Sequence, residues 1–275
     1  MSRLLTDAFA GFDLAALLWA VALAAARMTA MMSILPLMGR SGLQGFVRNG
    51  VVVAMSLPVV PMVYADIGIH GLPGGLALMG LLLKEGFIGL LIGLVVSFPI
   101  FAMQMAGDVL DAERGATMAI DASESGNEAS LMGAFLSMLI MAYMLVSGAF
   151  LAILDGYVES LVIWPPLSAL PEFSSASGGQ VFLLLDRLML AAVLIAAPMM
   201  IAMVLTEISL AITTRFAPSL NVFVLGLGVK SLVLFLIIPL YMSTLGSQAG
   251  NLVSVIAGII PQMRTFLAGM AAGGP

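Results

Sequence analysis

Seven apolar runs fill most of this chain: Leu14–Met38, Phe46–Ala65, Leu72–Met105, Ser130–Leu154, Val181–Leu205, Val222–Leu245 and Leu252–Met270. A helix needs about 20 largely apolar residues to cross a bilayer, so each run approaches one span and the third exceeds it. Lipid offers no hydrogen bonds. A crossing segment must therefore pair its own backbone groups, as a helix or within a closed barrel. The period-two alternation of a membrane barrel is absent from these runs. Charged residues make up only 9% of the chain, hydrophobic residues 61%, and mean hydropathy is +1.15. A soluble domain carries about 25% charged residues. The expected fold is an all-α integral membrane protein of about six to seven apolar helices. No repeat period or soluble module interrupts it, so residues 1–275 are expected to form a single membrane domain.

Several function classes fall away at once. There are no cysteines, which removes disulfides, thiolate metal sites and thiol nucleophiles. His70 is the only histidine and sits in a Gly/Pro turn, HGLPGG, without a second metal-type ligand. No basic patch exists for nucleic acid. Neither a cofactor nor a metal is expected. Arg3, the run from Leu14 and the triplet Ala24-Ala25-Ala26 imitate a cleavable signal peptide. Asp7 and Asp13 ahead of the run, and apolar character past Arg27 to Met38, favour an uncleaved first helix.

The third run contains Lys84-Glu85 and Pro99. Either a short piece precedes a helix starting near Gly86, or one long helix is bent at the proline. Pro198 would bend the fifth run in the same way. Gly86, Gly89 and Gly93 follow i, i+3, i+7 spacing, a face that lets another helix backbone come close. Packing within the chain is the first expectation for them, and packing on partner subunits the second. Basic residues near helix ends set orientation. Arg40, Arg48, Arg114, Arg215 and Arg264 share one side if the N-terminus is outside and the C-terminus cytoplasmic, with Arg3 and Arg187 on the other. The 22 methionines read mainly as adaptable filler.

Two polar insertions stand out. Gly107–Ala129 carries Asp108, Asp111, Glu113, Asp121, Glu124 and Glu128 against the single base Arg114. That local balance of minus five equals the formal net charge of the whole chain, −5. Helix connections usually need about 2–8 residues. A longer acidic stretch rich in small residues therefore points to a role in an aqueous space. Within it Asp108, Asp111 and Arg114 are spaced to share one helix face and pair. Acid–base chemistry by the two aspartates is the alternative to solvated charge at a membrane edge. The second insertion, 155–180, contains Trp164-Pro165-Pro166, an interfacial anchor followed by a helix break.

Toward the C-terminus, Glu207 and Arg215 close one helix, Pro218 breaks it, and Asn221 is placed to cap the next. Lys230 then lies inside an apolar run. An intramembrane charge is costly without a partner or water, so it is a functional candidate by default. Glu207, Glu85 and the acidic stretch are its possible partners. A secondary transporter using Lys230 and Glu207 for ion coupling would carry internal repeat symmetry, which is not visible.

The pattern E-x7-R-x2-P-x2-N-x8-K formed by Glu207, Arg215, Pro218, Asn221 and Lys230 resembles the C-terminal signature of the FliR/SctT export-apparatus proteins. Lys84-Glu85-Gly86, the glycine face, Gly107, Asp111, Arg114-Gly115 and Ser125-Gly126 extend the resemblance over most of Leu81–Lys230. Arg114-Gly115, Trp164-Pro165 and Lys230-Ser231 look more like the injectisome (SctT) branch than flagellar FliR. Glu113, where that branch more often has an amide, and the lack of a proline in Ala122–Ser125 depart from the pattern. The resemblance implies a non-enzymatic subunit of a type III secretion gate in the bacterial inner membrane. It implies bent hairpins rather than a simple bundle. The implied partners are several copies of two smaller membrane proteins (SctR/FliP-like and SctS/FliQ-like), a SctU/FlhB-like switch protein, unfolded secreted substrates and membrane lipid. By the same resemblance Gly107–Ala129, with Gly107, Asp108, Asp111, Glu113, Arg114, Gly115, Asp121, Ser125 and Gly126, is a pore plug. Lys84, Glu85, Glu207, Arg215, Asn221 and Lys230 are polar contacts within or between subunits.

Overall fold

The computed structural model describes residues 13–36, 45–115, 130–168, 175–216 and 222–271. All regular structure among the described residues is helical. Asp13 opens α1 (Leu14–Ile34): its Oδ1 accepts hydrogen bonds from Ala15 N at 2.9 Å and Ala16 N at 3.3 Å, satisfying amides that a helix start leaves unpaired. Pro36 ends α1 by forcing Leu35 to extended backbone, φ −66° and ψ 118°. The second run is α2 (Phe46–Ser56) and α3 (Val60–His70), joined by a 3-10 turn at Leu57–Val59. Pro58 and Pro61 fall in the first positions of the turn and of α3, where a missing N–H is tolerated.

The third run is one helix, α4 (Gly75–Glu113), 39 residues long with Pro99 inside. That selects the long helix over a start near Gly86. The fourth run divides into α5 (Leu131–Val146) and α6 (Ala149–Ile163), with a 75° bend between them. Gly148 makes the break possible, at φ +76°, a conformation that costs glycine little. Asp155 and Glu159, assigned to a polar insertion by sequence, belong to α6, which ends before Trp164-Pro165-Pro166. The fifth run is α7 (Ser175–Phe216), 42 residues with Pro198 inside.

The sixth and seventh runs are not separate: α8 (Val222–Ala271) is continuous over 50 residues. The segment between them, Gly246–Asn251, is polar but contains no proline, and small polar residues do not interrupt a helix. Arg264 therefore lies beyond Arg215 without an intervening turn after Lys230. Among the described residues five helices are long and apolar enough to cross a membrane, or six with α5–α6 counted as one broken span. The chain is thus all-α and multi-pass, as its composition requires.

Two compact units share the chain, one made of residues 1–97, 152–174 and 260–275, the other of 98–151 and 175–259. In the first, α1 packs on α2, α3 and α4. Gly89 and Gly93 set the approach of α4 to α1. A Cβ at Gly89 would strike the Arg27 carbonyl oxygen and Ala30 Cβ (2.9 Å), and one at Gly93 would stand 2.6 Å from the Met31 carbonyl oxygen. Gly86 faces open space, with nothing within 4 Å. Gly89→Leu is therefore expected to lower the thermal unfolding temperature in detergent, costing about 1–3 kcal/mol through overpacking. Gly86→Ala is expected to be neutral, or stabilising by up to about 1 kcal/mol. Equal effects at both positions would contradict the contact geometry.

Candidate functional site: three polar clusters on apolar helices

The most buried cluster lies in the first unit. Arg27 on α1 and Glu85 on α4 have 0% side-chain exposure and form a two-point ion pair. Nε reaches Oε2 at 2.6 Å and Nη2 reaches Oε1 at 3.0 Å, the fork geometry that gives Arg–carboxylate pairs their strength. Arg27 Nη1 donates to Ser160 Oγ at 3.1 Å, and Nη2 also to the Trp164 carbonyl at 3.0 Å. Lys84, beside Glu85 at 3.2 Å, donates to the carbonyls of Pro165 (3.2 Å), Pro166 (2.7 Å) and Ser168 (3.0 Å). The proline pair explains the acceptors. It halts α6 at Ile163, and the turn that follows presents its carbonyls to Lys84 near the helix C-terminus, where positive charge is favoured. Tyr157 completes the join, donating from its hydroxyl to the Ala24 carbonyl at 3.0 Å. Two cations against one carboxylate are thus tolerated because almost every donor has an acceptor.

The second cluster closes the ends of the acidic stretch. Asp111, on the last turns of α4, accepts from Arg114 Nε at 2.8 Å through Oδ1. Its Oδ2 accepts from Ser130 Oγ at 2.7 Å and from Met132 N at 2.9 Å. Ser130 in turn caps α5, accepting from Gly133 N at 2.9 Å. Gly107 allows this junction, because a Cβ there would collide with the backbone of Met132 and Gly133. A Cβ on Gly133 would in turn collide with Asp108 Oδ1. Gly115, at φ +77°, ends α4. The expected Asp111–Arg114 pair is present. Both Asp111 oxygens are occupied, Oδ1 by Arg114 at the end of its own helix and Oδ2 in joining α4 to α5.

The third cluster is centred on Lys230 of α8. Its Nζ lies 2.7 Å from Glu207 Oε2 on α7 and 3.8 Å from Glu113 Oε1 at the end of α4. It also donates to the Glu113 carbonyl at 3.1 Å. Of the partners expected for Lys230, Glu207 and the acidic stretch are present. Glu85 is not, since Arg27 and Lys84 hold it in the first unit. Arg215 is exposed on the last turn of α7 and joins none of these ion pairs. Asp121, Ser125, Gly126 and Asn221 lie outside the described residues, as do Glu124 and Glu128. His70 ends α3 and pairs with Asp66 one turn earlier, Nδ1 to Oδ1 at 3.0 Å. Among the described residues no group of acids and histidines could hold a metal ion.

Sequence reasoning missed Arg27, Tyr157 and Ser160. The signal for Arg27 was available: it is a charge inside an apolar run, the criterion that singled out Lys230. Tyr157 and Ser160 carried no such signal, because a tyrosine or serine on an amphiphilic stretch is unremarkable until its neighbours are known.

Comparison with known proteins gives these clusters a context. Residues 18–256 match the family described as bacterial export proteins, family 1. The Yop proteins translocation protein T of Yersinia pestis is 35% identical over 231 residues, 82% of this chain and 86% of its own length. The surface presentation of antigens protein SpaR of Salmonella typhimurium is 28% identical over 236 residues, 84% and 86% of the two chains. The flagellar biosynthetic protein FliR of Bacillus subtilis is 31% identical over 193 residues, 69% and 73%. The match spans all three clusters and the apolar helices that carry them, so this chain belongs to the FliR/SctT family: it is a multi-pass inner-membrane component of a type III export apparatus and not an enzyme.

Proposed function

We propose that the chain is one subunit of the inner-membrane gate through which unfolded proteins leave the cell, with the stretch 107–129 acting as a plug in the conduit. The observation that carries the plug assignment is the Asp111 junction. One carboxylate ties the end of α4 to the start of α5 through Ser130 and Met132, so the acidic stretch is presented from a fixed stem. Residues 116–129 contain three acids and no base, a composition suited to water and unsuited to packing against lipid. The injectisome branch is favoured over the flagellar one. The Yersinia translocation protein matches 82% of the chain at 35% identity, whereas the flagellar relative matches 69% at 31%.

The partners follow from the same reading: several copies of each of two small membrane proteins, SctR/FliP-like and SctS/FliQ-like, and a SctU/FlhB-like switch protein. Tagged chain, extracted gently from its own membranes, is expected to purify as one copy with several copies of the two small proteins. Native mass spectrometry gives the stoichiometry directly. A lone monomer or homodimer, with the neighbouring proteins expressed and intact, would overturn the gate assignment.

A further inference from the structure

The Lys230 cluster carries a charge surplus opposite in sign to that of the Arg27 cluster, where two cations meet one carboxylate. At Lys230 one cation meets two carboxylates, Glu113 and Glu207, while Arg114 and Asp111 balance each other in the neighbouring cluster. One negative charge is in surplus, and it is carried outward. Glu207 has 61% side-chain exposure while Lys230 has 12%, and among the described residues the contact to Glu207 runs through Oε2. Its surroundings on α7 are aliphatic, with Val204, Leu205, Ile208 and Ile212 all exposed. The chain does not supply the missing cation from the neighbouring stretch, since residues 116–129 hold no lysine or arginine. Arg215 lies eight residues further along α7, about 12 Å of helix rise away.

A carboxylate on an apolar helix face, surplus to its own cluster, is stabilised by a cation brought from outside, because unpaired charge is expensive where water is scarce. Small or aliphatic neighbours suit close approach of another helix. We propose that Glu207 is a docking point for a lysine or arginine on an apolar helix of a neighbouring subunit. The complex would complete an alternating array: partner cation, Glu207, Lys230, Glu113. This rests on the gate reading, because it requires a neighbour. The contrast with Glu85 supports it. That carboxylate is equally apolar in setting, but it is fully enclosed and already holds two cations.

The test uses the full chain expressed with the other components of its export apparatus, in native membranes. Glu207→Gln keeps an acceptor for Lys230 and removes the surplus charge; Glu207→Arg reverses it. The expected result is loss of co-purifying neighbour, several-fold for Glu207→Gln and more for Glu207→Arg. The unfolding temperature of the isolated Glu207→Gln chain in detergent should stay unchanged. The chain lacks cysteine, so a single Ala211→Cys variant, exposed one turn from Glu207 on α7, provides a clean cross-linking handle to identify the partner residue. Exchanging that partner residue for glutamate should restore the complex to Glu207→Arg. Full recovery of the neighbour with both substitutions would overturn the proposal. Loss of neighbour from Glu207→Gln that is matched by Lys230→Met, which removes the internal pair and leaves the Glu207 charge, would also overturn it, by assigning Glu207 a role inside the chain alone. If the natural chain recovers no neighbour at all, the gate reading itself fails.

Discussion

Replacing Glu85 with alanine is expected to cost about 3–5 kcal/mol, the range for removing one partner of a buried ion pair. The carboxylate sits at 0% exposure between Arg27 and Lys84, so its loss leaves two neighbouring cations with only carbonyls and one hydroxyl for compensation. For a chain of this size that corresponds to a fall in unfolding temperature on the order of 10 °C, or to loss of accumulated protein in the membrane. The paired variant Glu85→Ala/Arg27→Met should be less damaging than Glu85→Ala alone, because it removes one uncompensated charge. Thermal unfolding in detergent, with membrane abundance as a second readout, checks both statements. An unchanged unfolding temperature in the single variant would mean that the pair does not hold α1 to α4.

Deleting Thr117–Glu128 is expected to make the assembled gate leak small ions while leaving assembly itself intact. The deletion removes Asp121, Glu124 and Glu128 but keeps Asp111, Ser130 and Met132. The junction between α4 and α5 can therefore still form, and Glu113 still meets Lys230. Conductance across membranes containing the assembled complex should rise well above that of the natural chain, with subunit stoichiometry unaltered. Conductance at the natural level in a correctly assembled deletion variant would remove the plug assignment. Coupling the measurement to the stoichiometry matters, since a gate that fails to assemble is also silent.

Much of this protein was legible before any coordinates. Hydropathy is a local property that adds along the chain, so lipid as solvent, helix as the only economical fold and the approximate extent of most runs follow from residue order. So do features whose partners lie within a turn or two: the Asp111–Arg114 pair and the stop at Trp164-Pro165-Pro166. The choice of Lys230 as a costly charge also needed only its apolar surroundings, and its partner Glu207 was among the options.

What the residues could not decide was pairing across distance. Glu85 was available in principle to Lys230 and to Arg27, and only the approach of α4 to α1, set by Gly89 and Gly93, gives it to an arginine 58 positions away. The carbonyls that receive Lys84 lie more than 80 positions on, and the Glu113 carbonyl that receives Lys230 is 117 positions from it. The same limit applies to continuity. Gly148 breaks one apolar run, while the polar Gly246–Asn251 segment leaves another intact, because helix ends depend on backbone conformation and tertiary support as well as polarity. Order along the chain determined the solvent, the helices and the charges that would need partners. Tertiary structure decided which charges met, because ion-pair energy depends on separation and enclosure, and neither is encoded by position in the sequence alone.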